Sequence, residues 1–365
     1  MKILFEFEKK PLCFEHPVEI ISCHHPAELA RAFQKIELAL SSGLVVAGFC
    51  SYEAGYALER KLRVDKNHDF PLLYMGCYTA PAKKGSFSGH TCAASALKDI
   101  TVNTPQKEYF SDIDAIRSHI ARGDVYQITY CIKMKFAWEG DAFGLYRRLF
   151  REQPVPYAAY LETGGFKILS LSPEMFLKKT GSFIKTKPMK GTWPRGGNLL
   201  TDVAAGLRLH FDEKNRAENL MITDLLRNDL GRCGRDISVP VLFEVAKYNL
   251  LYQMTSTVTA AVRQDIPVYE LFSSLFPSGS VTGAPKIRAM EIIRELEDEE
   301  RRIYTGAIGY ILPNRDMFFN IPIRTLLLSD KTGEMGIGGG IVWDSTPQGE
   351  WDEGILKASF IMKTL

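Results

Sequence analysis

Apolar residues recur every three to four positions over 27–40 (AELARAFQKIELAL), which predicts an amphipathic helix. Residues 44–52 (LVVAGFCSY) are short, apolar and partly β-branched, the pattern of a buried strand. Residues 1–78 therefore read as a mixed α/β unit. Over 79–106 the large apolar groups thin out and Ala, Ser, Thr, Gly and Lys take over, which predicts a linker or surface loop. The pattern then becomes denser, and 107–365 reads as the main domain. Helices are predicted over 109–121 (ending at Gly123), 143–151, 212–230, 285–299 and 351–362. Strands are predicted over 125–136, 157–161, 166–171, 175–179, 183–188, 242–261, 307–312, 317–328 and 335–342, with Gly164 and Gly165 forming a turn. Runs of strands broken by helices, without regular βαβ alternation, predict an α+β fold with a largely antiparallel sheet.

Composition narrows the function classes. The chain has 365 residues, 45% hydrophobic and 24% charged, which excludes a disordered or collagen-like protein. Its 45 basic and 43 acidic residues leave a net charge of +2, and no basic block supports a nucleic-acid partner. No apolar run approaches the roughly 18–20 residues of a membrane span. The first residues, MKILFEFEKKPLCFEHP, are too acidic and their apolar run too short for a secretory signal. The seven cysteines (Cys13, Cys23, Cys50, Cys77, Cys92, Cys131 and Cys233) are scattered, odd in number and never in CxxC spacing. They predict a reduced, cytoplasmic protein without a disulfide framework or zinc site.

Several residues stand out chemically. All seven histidines precede Phe211, so acid–base work further along must use Lys, Glu, Asp or Tyr. Glu218 shares a helical stripe with Met221, Ile222, Leu225 and Asp229. A carboxylate there needs a cation, either Arg216 or Arg227 in an ion pair or a metal ion. Glu350, Glu353 and Lys357 share one face of the last predicted helix, as a solvated charged face or as part of a site. Gly336, Gly338, Gly339 and Gly340 precede that helix; glycines beside a strand bare backbone N–H groups that can receive a carboxylate. The loop 278–286 (SGSVTGAPK) leads into a helix, as an anion-binding turn or a plain capped start; it does not match the P-loop pattern. Lys190, between Pro188 and Gly191, is either an exposed basic strand end or a nucleophile whose pKa burial and nearby cations lower.

Seven segments then fall in a specific order: SPE (172–174), PMKGT (188–192), ENLMITDLLRND (218–229), GSVTGAPKIRAMEII (279–293), YTGAIGY (304–310), IPIRTL (321–326) and GIGGGIVWDSTPQGEWDEGILKA (336–358). The set resembles the chorismate-utilising enzymes, which include anthranilate synthase component I, aminodeoxychorismate synthase component I, isochorismate synthase and salicylate synthase. The resemblance covers 107–365 and is loose before it. It implies the anthranilate synthase component I-like fold, two large antiparallel β-sheets flanked by helices, with chorismate and Mg²⁺ between them. It also implies metal ligation by Glu218 and Glu353 with Glu350 beside them. Tyr304 and Arg324 would hold one carboxylate of the substrate, and the amides of Gly338, Gly339 and Gly340 the other. Thr282, Gly283 and Lys357 would be further substrate-binding residues, and Glu174 the general acid or base near C4.

Within the family, a lysine at the position of Lys190 implies amination at C4 through a covalent lysine adduct, as in the aminodeoxychorismate synthases, feeding 4-aminobenzoate and folate synthesis. Amination at C2, as in anthranilate synthase component I, is the nearer alternative, and a non-catalytic anion- or nucleotide-binding module the more distant one. Gln127 stands where isochorismate and salicylate synthases carry a lysine base, which disfavours water addition at C2. Gln253 stands where many relatives have His. The LLES type of tryptophan-feedback motif is missing, so tryptophan control is not expected. The resemblance also implies a separate glutamine amidotransferase subunit as ammonia source, since no glutaminase segment is present.

Overall fold

The computed structural model describes residues 1–82, 87, 95–248 and 251–362, with the side chains of Phe360 and Met362 left out. Part of the 79–106 segment, with His90 and Cys92, lies outside the described residues, as do 249–250 in the predicted 242–261 strand. The fold is α+β, built on a nine-stranded and a ten-stranded sheet in which every pairing is antiparallel. Strands such as Tyr157–Glu162 and Val45–Cys50 are buried along nearly their whole length, because both faces of each sheet are covered. Ile3, Phe5 and Phe7 of one sheet meet Val45, Phe49, Ile308 and Phe318 of the other in an aromatic-rich core between the sheets. Helices Leu29–Ser41, Val268–Leu275 and Glu213–Gly231 cover the outside of the ten-stranded sheet. Gln106–Ala121, Ala142–Glu152, Lys286–Leu296 and Pro347–Met362 cover the nine-stranded one. No described helix is long and apolar enough to cross a membrane.

The first 78 residues feed both sheets. Lys2–Phe7 pairs with Tyr157–Glu162 in one, and Val45–Cys50 pairs with Ala307–Ile311 in the other. Two long apolar stretches divide where the sequence pattern runs on. Residues 317–328 form Met317–Asn320 in the ten-stranded sheet and Thr325–Ser329 in the nine-stranded one. The 242–261 stretch belongs to two paired strands, Arg235–Lys247 and Leu251–Ala261. Lys167–Ser172 and Met175–Thr180 also belong to different sheets. Two of the chain's crossings between the sheets thus fall at Pro173–Glu174 and at 321–324. The crossings lie side by side: Ile321 N donates to Glu174 O at 3.1 Å, and Ser172 Oγ donates to Ile321 O at 2.5 Å.

Candidate active site

Sheet-to-sheet crossings put polar residues where two faces diverge, and Glu174 and Arg324 occupy these two. Arg324 adopts φ 51°, a left-handed conformation that a non-glycine residue holds only when its surroundings compel it. Burial pushes its guanidinium pKa down, and among the described residues no carboxylate pairs with it; the one polar neighbour acting on it is Tyr248. A buried cation left without an anion is a receptor for one. Glu174 is 3% exposed and its carboxyl is pushed up to about 7, by burial against the opposing pull of Ser280, Lys190 and the Met189 amide.

Lys190 lies on the Met189–Pro194 strand, whose register slips between Met189 and Thr192 beside Gly191 at φ 93°. The slip turns the amine inward. A Cβ on Gly340 would stand 2.9 Å from Lys190 Nζ and 1.9 Å from Gln127 Nε2, so any other residue there would displace both side-chain ends. Burial pushes the Lys190 amine down, while Glu218, Glu174 and Glu353 hold it up and Lys357 adds to the lowering. The sequence left an exposed strand end open; the structure has the amine mostly buried among carboxylates. Both amide atoms of buried Gln127, and Gln253 Oε1, lack hydrogen-bond partners among the described residues.

The glycine strand forms the floor. Thr332–Ile341 pairs with Gln127–Glu139 throughout, but with Thr325–Ser329 only as far as Met335, so one edge is open from Gly336 on. Thr129 N donates to Thr282 O and Cys131 N to Glu297 Oε1, both away from the glycines. Opposed residues of an antiparallel pair exchange both bonds or neither. Gly338 and Gly340 therefore turn their amides to the open edge, where Lys357 Nζ already donates to Gly338 O at 3.2 Å. Gly339 faces the Tyr130 strand instead, so its amide is spent in the ladder. Gly336 leaves room for the Tyr304 ring, 2.2 Å from where its Cβ would be. Tyr304 is 7% exposed, and burial pushes its phenol well above the usual range.

Glu218 sits on the Glu213–Gly231 helix, whose start Asp212 caps by accepting from Asn215 N. Neither sequence-suggested arginine reaches it: Arg227 pairs with Asp224 at 2.7 Å, and Arg216 lies over the Phe243 ring. Burial pushes the Glu218 carboxyl up, Lys190 and Lys214 oppose this, and Glu353 reinforces it. Glu350 is likewise raised by burial and accepts from Ser345 Oγ at 2.6 Å. Glu353 is 53% exposed; against the effect of burial its carboxyl is held low by Lys357, 2.7 Å away. Among the described residues no three His, Cys, Asp or Glu side chains converge on one point, so Glu218, Glu350 and Glu353 do not form a ready three-ligand cluster. They are hard oxygen donors, and Glu353 raises the proton affinity of the other two, which suits magnesium, an ion that keeps several waters and takes one or two carboxylates.

Thr282 and Gly283 stand behind Gln127. The Thr282 hydroxyl donates to Ser278 O at 3.0 Å, and Gly283–Ala284 pairs with Gln127 and Ile128. Three participants were not named individually from the sequence: Ser280 against Glu174, inside the 278–286 loop, Tyr248 near Arg324, and Lys214 near the acids. A fourth is Arg301, 3% exposed, which donates to Glu297, Val281 O, Thr129 O and Thr305 Oγ1 and so ties together the loops around Tyr304. A separate cleft of about 380 Å³ near Lys135 and Arg302 has its main charges paired, with Glu299 at 2.6 Å and Glu334 at 3.0 Å.

The sequence model of the chorismate binding enzyme family matches residues 87–363. The chain is similar to aminodeoxychorismate synthase component 1 of Bacillus subtilis, 38% identical over 255 residues, covering 69% of this chain and 54% of that protein. It is equally similar to anthranilate synthase component 1 of Aquifex aeolicus, 38% identical over 262 residues, covering 71% and 53%. The chain spans about half the length of the curated relatives it matches. In fold it resembles anthranilate synthase component I of Streptococcus pneumoniae, with a TM-score of 0.79 at 23% identity, covering 98% of this chain and 89% of that one.

Proposed function

The chain belongs to the chorismate-binding enzymes, and on that footing we propose that it aminates chorismate at C4 to give 4-amino-4-deoxychorismate. The observation that carries the reading is the Lys190 amine, set against Gly340 inside the pit with its proton loosened by burial. The unprotonated amine attacks C2. The ring electron pairs move from C1–C2 and C5–C6 into C1–C6 and C4–C5, and the C4–O bond breaks. Glu174, near pKa 7, is available in its protonated form to hand its proton to the departing hydroxyl, which leaves as water. Ammonia then attacks C4, the pairs return, and the C2–N bond to Lys190 breaks. The Glu174 carboxylate takes the proton that ammonia sheds. Two displacements through the ring replace one unfavourable direct substitution.

Arg324 and Tyr304 would hold one substrate carboxylate, and the outward amides of Gly338 and Gly340 the other. Glu218 and Glu353, with Glu350 beside them, would hold Mg²⁺, which when bound supplies positive charge against the substrate's carboxylate. The name component 1 borne by similar proteins supports a second component, and a glutamine amidotransferase fits the need for ammonia. The free thiols of Cys23, Cys50, Cys77, Cys131 and Cys233 fit the reducing cytoplasm.

Amination at C2 is the second reading, favoured by the equal similarity to the Aquifex protein. Purified protein with chorismate, Mg²⁺ and ammonium sulfate decides between them. 4-Aminobenzoate appearing only after addition of aminodeoxychorismate lyase supports C4; fluorescent anthranilate without lyase refutes it. Lys190→Ala should lower 4-amination by orders of magnitude and abolish an adduct in intact-chain mass spectrometry; unchanged turnover would remove Lys190 from the mechanism.

A further inference from the structure

We propose that the bare apolar stripe on the Leu199–Phe211 helix is the docking surface for a cysteine-type glutaminase subunit that hands ammonia into the pit; this rests on the amination reading. Leu199, Val203, Leu207 and Phe211 repeat every four residues and so share one side of the helix. They are 76%, 53%, 54% and 65% exposed, and Leu200 beside them is 83% exposed. The opposite side is already satisfied. Ala205 and Leu209 pack against Phe243, Tyr252 and Met254. The outer stripe therefore contributes nothing to this chain's own core. Five such side chains bare on the order of 500 Å², near the upper end for the largest apolar patch of a monomer and well over half of one partner's share in a standard interface.

Position and charge select the occupant. The helix starts five residues after the Met189–Pro194 strand that carries Lys190, and it packs on that strand, so a body seated on the stripe adjoins the wall of the pit. Within the helix the one acidic residue, Asp202, is turned inward to Arg195 and Lys247, the latter at 3.1 Å. His210 is turned to Phe243 O, 3.1 Å from its Nδ1, so Arg208 is the exposed ionisable group of the helix, a basic residue at the edge of an apolar surface. A second copy would bring the same basic edge to itself across a twofold interface, which like-charge repulsion disfavours. A subunit with an apolar face and an acidic rim fits. Cys131, which lies against Tyr304 beside the pit, is no ready glutaminase nucleophile, because burial pushes its thiol up to about 12.

The test uses the full chain and the purified amidotransferase subunit of the same organism, with complex formation followed by sedimentation velocity. Turnover is measured with glutamine and, separately, with ammonium sulfate. Leu199→Asp/Leu207→Asp should abolish the complex and lower glutamine-driven turnover at least tenfold, while ammonium-driven turnover stays within twofold. A complex and glutamine-driven turnover at parental levels would overturn the proposal. So would a parental homodimer that the substitutions dissociate. Lack of ammonium-driven turnover in the parent would refute the amination reading, and sedimentation would still decide the surface. Should the aspartates impair ammonium-driven turnover, Leu199→Ser/Leu207→Ser gives the same comparison with less perturbation.

Discussion

Glu174→Gln should make the protein more stable relative to wild type as pH rises, and the size of the change follows from the burial of this carboxyl. Moving a carboxyl from its ordinary 4.5 to about 7 corresponds to about 3 kcal/mol, at roughly 1.4 kcal/mol per pH unit. The sign is set by which state holds the proton. Below pH 4.5 both folded and unfolded chains keep it, and the group costs nothing. Between 4.5 and about 7 the unfolded chain releases it while the folded chain retains it, so stability falls as pH rises. Above about 7 the full penalty applies. Glutamine has nothing to titrate at this position and keeps an oxygen to accept from Met189 N, 3.4 Å from Glu174 Oε1. Urea unfolding at pH 4.5 and pH 8, with the slope m unchanged, gives the comparison. Wild type should lose on the order of 3 kcal/mol more than the variant over that interval. Glu53, also raised to about 7, is common to both proteins and cancels. A difference below about 1 kcal/mol would refute the placement of Glu174 as a buried acid protonated near neutrality.

Arg324→Leu should act in opposite directions on binding and folding. Losing a charge-assisted bond to a substrate carboxylate should raise KM by about tenfold to a hundredfold, as expected for a loss of roughly 1.5–3 kcal/mol, whereas removing an unpaired buried cation should raise Tm; an unchanged KM would remove Arg324 from substrate binding. Arg301→Ala should destabilise the protein by about 3–5 kcal/mol, because it leaves the Glu297 carboxylate buried without its partner. Thermal unfolding measures this, and a loss under about 1 kcal/mol would mean that Glu297 is protonated and the pair contributes little.

Much of the architecture is legible in the sequence because burial imposes period. The 27–40 stripe corresponds to the Leu29–Ser41 helix, whose Leu29, Phe33, Ile36 and Leu40 enter the core. The 125–136 run corresponds to Gln127–Glu139, one of the two longest strands. Other features carried no periodic signal. Residues 317–328 look like one strand, since both halves are apolar, yet they belong to different sheets. The Leu199–Phe211 helix escaped notice because its apolar residues face outward as well as inward. Glycine spacing alone did not separate Gly339, which faces the ladder, from Gly338 and Gly340, which face the open edge; that depends on which bonds Thr129 and Cys131 make elsewhere.

The chain by itself determined the kinds of chemistry available: carboxylates, a lysine and bare glycine backbone, with histidine confined to the part before Phe211. It also determined an antiparallel α+β frame, because apolar periodicity is a local property. Tertiary structure decided which of those groups meet. The crossings that carry Glu174 and Arg324 are 150 residues apart in the chain and lie side by side, joined where Ile321 N donates to Glu174 O. Lys190 is titrated by Glu218, Glu353 and Lys357 because a strand slip and a closely approaching glycine turn its amine inward. Proton affinity depends on solvent exclusion and on charges brought near through space, and neither is encoded in any short stretch of sequence.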